Sequence, residues 1–209
     1  MAVLHPTGVL AMTEAAAPGR EGRRQAILAA AIEVFAERGF AGAHIRDIAA
    51  RAGVGEGTVY LYFAGKDDLL LTAFRETLRR FCQEARAAIG AQGPFEERLR
   101  RLLCFQAAQV EAHPALATML LMESRQSRYF YGEPVRAALR EYAALYDELL
   151  AEGQRRGELR PDVDPVLARR ALLGAIQEVA LDWLLGDRAR PLAPRAQALA
   201  DLFCRGLCT

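Results

Sequence analysis

The 209-residue sequence has no asparagine, and of its 27 basic side chains all but Lys66 are arginine. Such a bias is what arginine-rich coding from a GC-rich genome produces, and it makes the position of the solitary lysine a question. Histidine is scarce and scattered (His5, His44, His113), so no cluster with metal-ligand spacing exists. Neither a phosphate-cradling glycine loop nor a G-x-S-x-G elbow is present, which argues against an enzyme and implies no cofactor. The four cysteines (Cys82, Cys104, Cys204, Cys208) lack the spacing of a disulfide framework and read as reduced thiols. Cys204 and Cys208 share a helix face, which in principle suits a metal or oxidation, but free cysteine is more commonly a small buried hydrophobe, and the pair is read as such. No segment approaches the roughly 20 apolar residues of a membrane span, and the opening MAVLHPTGVLAM lacks a basic leader; a cytoplasmic protein is expected, with no membrane partner. Strong net charge is missing too. At +1, the chain cannot bind a polyanion by bulk charge, so any nucleic-acid site must be focal.

What is present is a chain that is 52% hydrophobic and 25% charged, patterned as helices throughout. The expected fold is all-α: a disordered tail over 1–22 with Met12 as a candidate start, a three-helix head over 23–68, and a helical bundle over 69–209. From Arg24, apolar residues recur at Ile27, Leu28, Ala31, Val34 and Phe35, and Gly39 with Phe40 predicts a left-handed stop. Ile45, Ile48, Ala49 and Ala52 predict a short second helix ending at Gly53. The run EGTVYLYF predicts a third, with Val59 and Phe63 inward and the rest outward.

Two short helices joined by a glycine turn, with a small residue at their crossing, match the helix-turn-helix that lays its second helix in a DNA major groove. On that basis Glu56, Gly57, Thr58, Tyr60, Leu61 and Tyr62 form the reading surface, with Gly57 permitting close approach and Arg46 near a guanine edge. A plain helical hairpin with packed tyrosines fits the spacing as well. Residues 20–66 carry seven basic and five acidic side chains, an excess of only two. Lys66 adds weight to the DNA alternative. In AGKDDLL, Asp67 and Asp68 suit the positive end of the following helix, whereas Lys66 costs a few tenths of a kcal/mol there unless an anion such as a phosphate compensates. A carboxylate elsewhere would serve the same purpose.

The stretches ILAAAIEVFAERGF, IRDIAARAGVGEGTVYLYF and KDDLL, within residues 24–74, together resemble the TetR family of transcriptional regulators. The resemblance implies that Arg46, Thr58, Tyr60, Leu61, Tyr62 and Lys66 contact an operator in double-stranded DNA, with Lys66 gripping the backbone and Gly57 allowing close approach. Two departures concern the operator sequence: Ala43 and His44 stand where the family usually has Thr or Ser, and Glu56 is acidic.

In the body, GAQGP breaks the helical pattern, His113–Pro114 starts a new segment, and Val135, Leu139, Tyr142, Tyr146 and Leu149 keep a sustained heptad-like stripe. Asp164 as N-cap and Pro165 as first residue open a helix that is apolar on more than one face. With the last helix (Leu199, Leu202, Phe203, Leu207), it suits a homodimer interface of four helices, as the resemblance also implies. MESRQSRYF and GAIQEVALDWLLGD resemble the fatty-acid-responsive, FadR-type subgroup, which implies repression of β-oxidation genes and release by a long-chain acyl-CoA effector. Arg98, Arg101, Arg125 and Arg128 are then candidates for the CoA phosphates, and Gln177, Glu178 and Trp183 for the pocket lining; each reads also as a solvated or core group. Other possibilities are an efflux-gene repressor with an aromatic or acidic pocket, a helical enzyme with a DNA-binding head, and a ligand-free architectural protein.

Overall fold

Every third or fourth residue of the first long segment is apolar, and these residues (Ile27, Leu28, Ala31, Val34, Phe35) are the buried face of α1, Arg20–Gly42. The computed structural model describes residues 19–123, 130 and 132–209. Helix α1 begins four residues before the expected start at Arg24, within the part of the expected tail that is described. Gly39 has the positive φ (70°) that its position predicted, but the helix resumes for one further turn beyond it, because Phe40 finds a buried seat on the core.

Helix α2 (Ile45–Arg51) and α3 (Glu56–Tyr60) follow, with the turn between them at Gly53 (φ 68°). Ala49 of α2, Val59 of α3 and Phe63 just beyond α3 are buried in the core. The third helix is shorter than the run EGTVYLYF suggested: Leu61 is its C-cap and Tyr62 lies beyond it, half-buried against the core instead of facing out. The missing hydroxyl cap at His44 is answered from the other side, since the Asp47 carboxylate accepts the His44 N–H at 3.3 Å.

Helix α4 (Lys66–Ile89) buries Leu69, Leu70, Ala73, Phe74, Leu78, Cys82, Ala85 and Ile89 on one side. It runs unbroken across the expected head–body boundary at 68/69, so head and body share one rod. Gly90 (φ 70°) ends it, and α5 (Phe95–Ala112), α6 (Pro114–Thr118) and a π-helical turn (Met119–Glu123) follow. Helix α7 (Glu133–Arg155) packs along α4, and α9 (Ala193–Leu207) along α5. The bundle centre holds Leu99, Leu102, Leu103, Tyr146 and Leu172, each of which contributes about 1.5–3 kcal/mol by leaving water.

Helix α8 (Pro165–Leu185) opens as the sequence predicted: Asp164 Oδ1 accepts the N–H groups of Val166 at 2.8 Å and Leu167 at 3.2 Å. It buries Leu172, Ile176, Ala180, Trp183 and Leu184 inward and leaves Leu167 (65%) and Leu185 (68%) exposed; on α9, Leu202 (62%) is exposed as well. The C-terminal residues are tied back to the α7–α8 connection, with Arg160 N–H donating to Leu207 O at 2.9 Å. Burial pushes the Cys204 thiol up to about 12 and raises Cys208 as well, so both stay protonated and act as apolar packing. Among the described residues, no helix is long and apolar enough to cross a membrane, and no group of three potential ligands could hold a metal.

Candidate nucleic-acid interface and effector cavity

Of the basic side chains in the head, three are committed to carboxylates: Arg24 to Glu76, Arg38 to Asp47 at 2.9 Å, and Arg51 to Glu37 at 2.6 Å. Arg46 is exposed and makes no ion pair among the described residues. It borders a hollow of about 390 Å³ together with Ala43, His44, Ile45, Glu56, Tyr60 and Lys66. The structure therefore brings Arg46, Tyr60 and Lys66, from three successive helices, to one surface. Leu61, the C-cap of α3, does not border the hollow but is strongly exposed, and Thr58 is half-buried. A Cβ on Gly57 would meet nothing within 4 Å, so internal packing does not demand glycine at that position.

Lys66 occupies the N-terminal turn of α4 as expected, but its charge is already compensated inside the protein. Its ammonium donates to Ala43 O at 3.1 Å and Ala41 O at 3.3 Å, and it lies 4.6 Å from the centroid of the Phe40 ring. These carbonyls belong to the end of α1, where helix dipoles leave negative charge. Of the three donors of the ammonium, one remains for an acceptor outside the chain.

A second, larger cavity of about 440 Å³ lies within the bundle, inside the range of about 300–1,000 Å³ of small-molecule sites. Its wall is mainly apolar: Phe74, Leu78 and Phe81 of α4, Val110 of α5, Leu116 of α6, Leu120 and Leu121 of the π-turn, and Ile176 and Val179 of α8. Leu28 and Ile32 of α1 complete it, so the cavity reaches the first helix of the head. Gln106, Tyr142 and Gln177 supply polar groups to this wall. The Gln106 amide donates to the Tyr142 hydroxyl and accepts from Tyr146, and burial pushes the Tyr142 phenol up to about 12, so it stays neutral. Arg80, exposed on α4, stands on the cavity rim with Glu76, Thr77 and Glu84.

The expected ligand residues divide. Gln177 lines the cavity. Trp183 does not: it is buried outside that lining, with its indole N–H donating to Arg190 O at 2.7 Å. Arg98 and Arg101 also lie away from the wall. Arg98, 11% exposed, pairs with Glu152 at 2.6 Å across α5 and α7. Arg101 pairs with Glu97 and donates to Ile89 O at 3.1 Å and Gln92 O at 3.2 Å, closing the end of α4. Both guanidiniums serve the junction of α4, α5 and α7. Arg125 and Arg128 lie outside the described residues. Arg80, Gln106 and Tyr142 were missed, because the helical pattern placed them on faces but did not say that those faces enclose a void.

Residues 27–73 match the family model for bacterial regulatory proteins of the tetR family, and residues 74–206 match that for the C-terminal region of YsiA-like proteins. The fatty acid metabolism regulator protein of Bacillus subtilis is 30% identical over 181 residues, which are 87% of this chain and 93% of that one. Among solved structures, the fatty acid degradation regulator FadR from Bacillus halodurans superposes with a TM-score of 0.82 at 33% identity, covering 88% of this chain and 95% of its own. FadR from Bacillus subtilis, in complex with stearoyl-CoA, gives 0.81 at 30% identity, covering 87% and 98%. With both halves matched and the relatives aligned over nearly their full length, the chain belongs to the tetR family of bacterial regulatory proteins.

Proposed function

We infer that this regulator is a homodimeric, non-enzymatic repressor of fatty-acid degradation genes, acting on DNA in the cytoplasm and released from its palindromic operator by a long-chain acyl-CoA. The observation that carries the effector assignment is the apolar cavity of about 440 Å³, whose wall runs from α8 through α4 to α1 of the head. An extended apolar chain fits a wall of that chemistry. The polar set Gln106, Tyr142 and Gln177 offers hydrogen bonds to an oxygen of the ligand, and Arg80 on the rim offers charge to a phosphate. Two relatives support the choice of ligand class: the Bacillus subtilis regulator of fatty acid metabolism, and its FadR structure with stearoyl-CoA.

Operator contact falls to Arg46, Tyr60, Leu61 and Lys66 from the exposed surface of the head, with Thr58 and Tyr62 at its margin and Gly57 allowing close approach. Exposed Leu167, Leu185 and Leu202 give α8 and α9 a face that a second copy covers, placing two heads at half-sites one helical turn apart. Release is a population shift: the effector binds better to a body conformation in which α4 holds the heads at the wrong separation. A ligand with equal affinity for both states would release nothing.

Titration calorimetry of stearoyl-CoA into the DNA-free dimer tests the effector assignment. One site per protomer is expected, lost when Leu121→Arg places a charge in the wall. Absence of binding, or equal binding by the Leu121→Arg variant, would contradict it.

A further inference from the structure

Glu123 closes the π-helical turn Met119–Glu123 and is 8% exposed, one of two buried polar or charged residues among those described. Its Oε2 accepts the N–H of Phe40 at 2.5 Å, joining the end of the cavity-forming segment to the end of α1 across 83 positions of sequence. Gly39 shapes this approach through its backbone, whose φ of 70° turns the chain; a Cβ there would stand in ordinary contact, 3.4 Å from the same carboxylate oxygen. Desolvating a carboxyl group is costly unless donors compensate, so a position needed for packing alone would favour an apolar side chain. The geometry of the turn is itself unusual, since single π-helical turns are rare and concentrate at functional sites.

The two ends of this contact face different sites. Leu120 and Leu121, on the same turn as Glu123, form part of the cavity wall. Phe40, on the far side, carries the ring beneath the Lys66 ammonium, and two carbonyls one and three residues further along the chain, those of Ala41 and Ala43, hold that ammonium. We propose that Glu123 is a positioning residue for operator binding, coupling the effector cavity to the placement of Lys66 through the Phe40 N–H. A ligand that displaces Leu120 and Leu121 displaces the Glu123 carboxylate. The end of α1 moves with it, and Lys66 leaves the position that fits a phosphate. The inference rests on effector release as inferred above and adds the residue that transmits it.

Operator affinity of the full-length protein is measured with and without saturating stearoyl-CoA for the wild type, Glu123→Ala and Glu123→Gln. Coupling between two sites is ordinarily about 5–150-fold. Wild type is expected near the upper end, Glu123→Ala at about fivefold or less, and Glu123→Gln between them, because its amide oxygen still accepts a weaker hydrogen bond. Stearoyl-CoA affinity of the DNA-free variants should stay within about twofold of wild type, since the side chain is not part of the cavity wall. A purely structural Glu123 would lower the melting temperature and leave the release factor unchanged, and that result in both variants would overturn the proposal. If Glu123→Ala fails to fold, the isosteric Glu123→Gln decides alone. Wild type that stays bound in stearoyl-CoA would overturn effector release and the coupling together, whereas wild type released and variants released equally would overturn only the coupling.

Discussion

The Lys66 ammonium donates to the Ala43 carbonyl oxygen at 3.1 Å, fastening the first residue of α4 to the chain just beyond α1. One side chain thus has two duties: it holds two helix ends together inside the head, and it presents a positive charge at the surface shared with Arg46 and Tyr60.

These duties separate by substitution. Lys66→Gln keeps a donor for the carbonyls and loses the charge, so operator binding should weaken across all sequences and its salt slope should fall by about 1, with little change in melting temperature. Lys66→Ala should show the same salt effect and lose a further ~1 kcal/mol of stability from the unsatisfied carbonyls. An unchanged salt slope in both would remove Lys66 from the phosphate contacts.

Asp164→Ala should cost about 1 kcal/mol, because the Val166 and Leu167 N–H groups lose the acceptor that starts α8. Asp164→Ser, which can still cap, should recover most of that loss. Thermal unfolding of both variants is the check.

Leu202→Glu places a charge on the exposed apolar face of α9. Sedimentation should show a shift toward monomer, with a steep loss of operator affinity because single heads bind weakly. A dimer that survives both this change and Leu167→Glu would move the interface away from α8 and α9.

The Arg24–Glu76 pair joins α1 to α4 at the edge of the apolar cavity. Burial alone would push the Glu76 carboxyl up, but the hydrogen bond and charge of Arg24 bring it below its ordinary value. A lowered folded pKa means the stabilisation is present above the unfolded carboxylate value and disappears as pH falls through the folded one. Glu76→Gln should therefore melt lower than wild type at about pH 7, and the two curves should converge toward about pH 3. Parallel curves would mean that the pair does not stabilise the folded state.

Local signals in the sequence located what local chemistry controls. Asp164–Pro165 marked the start of α8 and the spacing of Ile27 to Phe35 the buried face of the first helix, while Gly39, expected as the stop of that helix, has the left-handed φ but is followed by one more turn. The outward positions of the head followed from the same periodicity, except where the helix ended early and Tyr62 folded back onto the core. What depended on distant neighbours was hidden. The carbonyls that hold Lys66 lie 23 and 25 residues away, the Glu152 that occupies Arg98 lies 54 away, and the Phe40 N–H bonded by Glu123 lies 83 away. Periodicity assigns a side chain to a face of its helix but not to a partner, which is why Arg98, Arg101 and Trp183 looked available and are engaged elsewhere.

The most direct test of ligand-controlled repression is fluorescence anisotropy of labelled DNA from the upstream region of the gene itself, titrated with the dimer in the presence of stearoyl-CoA, stearate or CoA. Release by stearoyl-CoA, with the other two inert, is the predicted result. Tight binding indifferent to all three, or release by stearate alone, would contradict an acyl-CoA-controlled repressor.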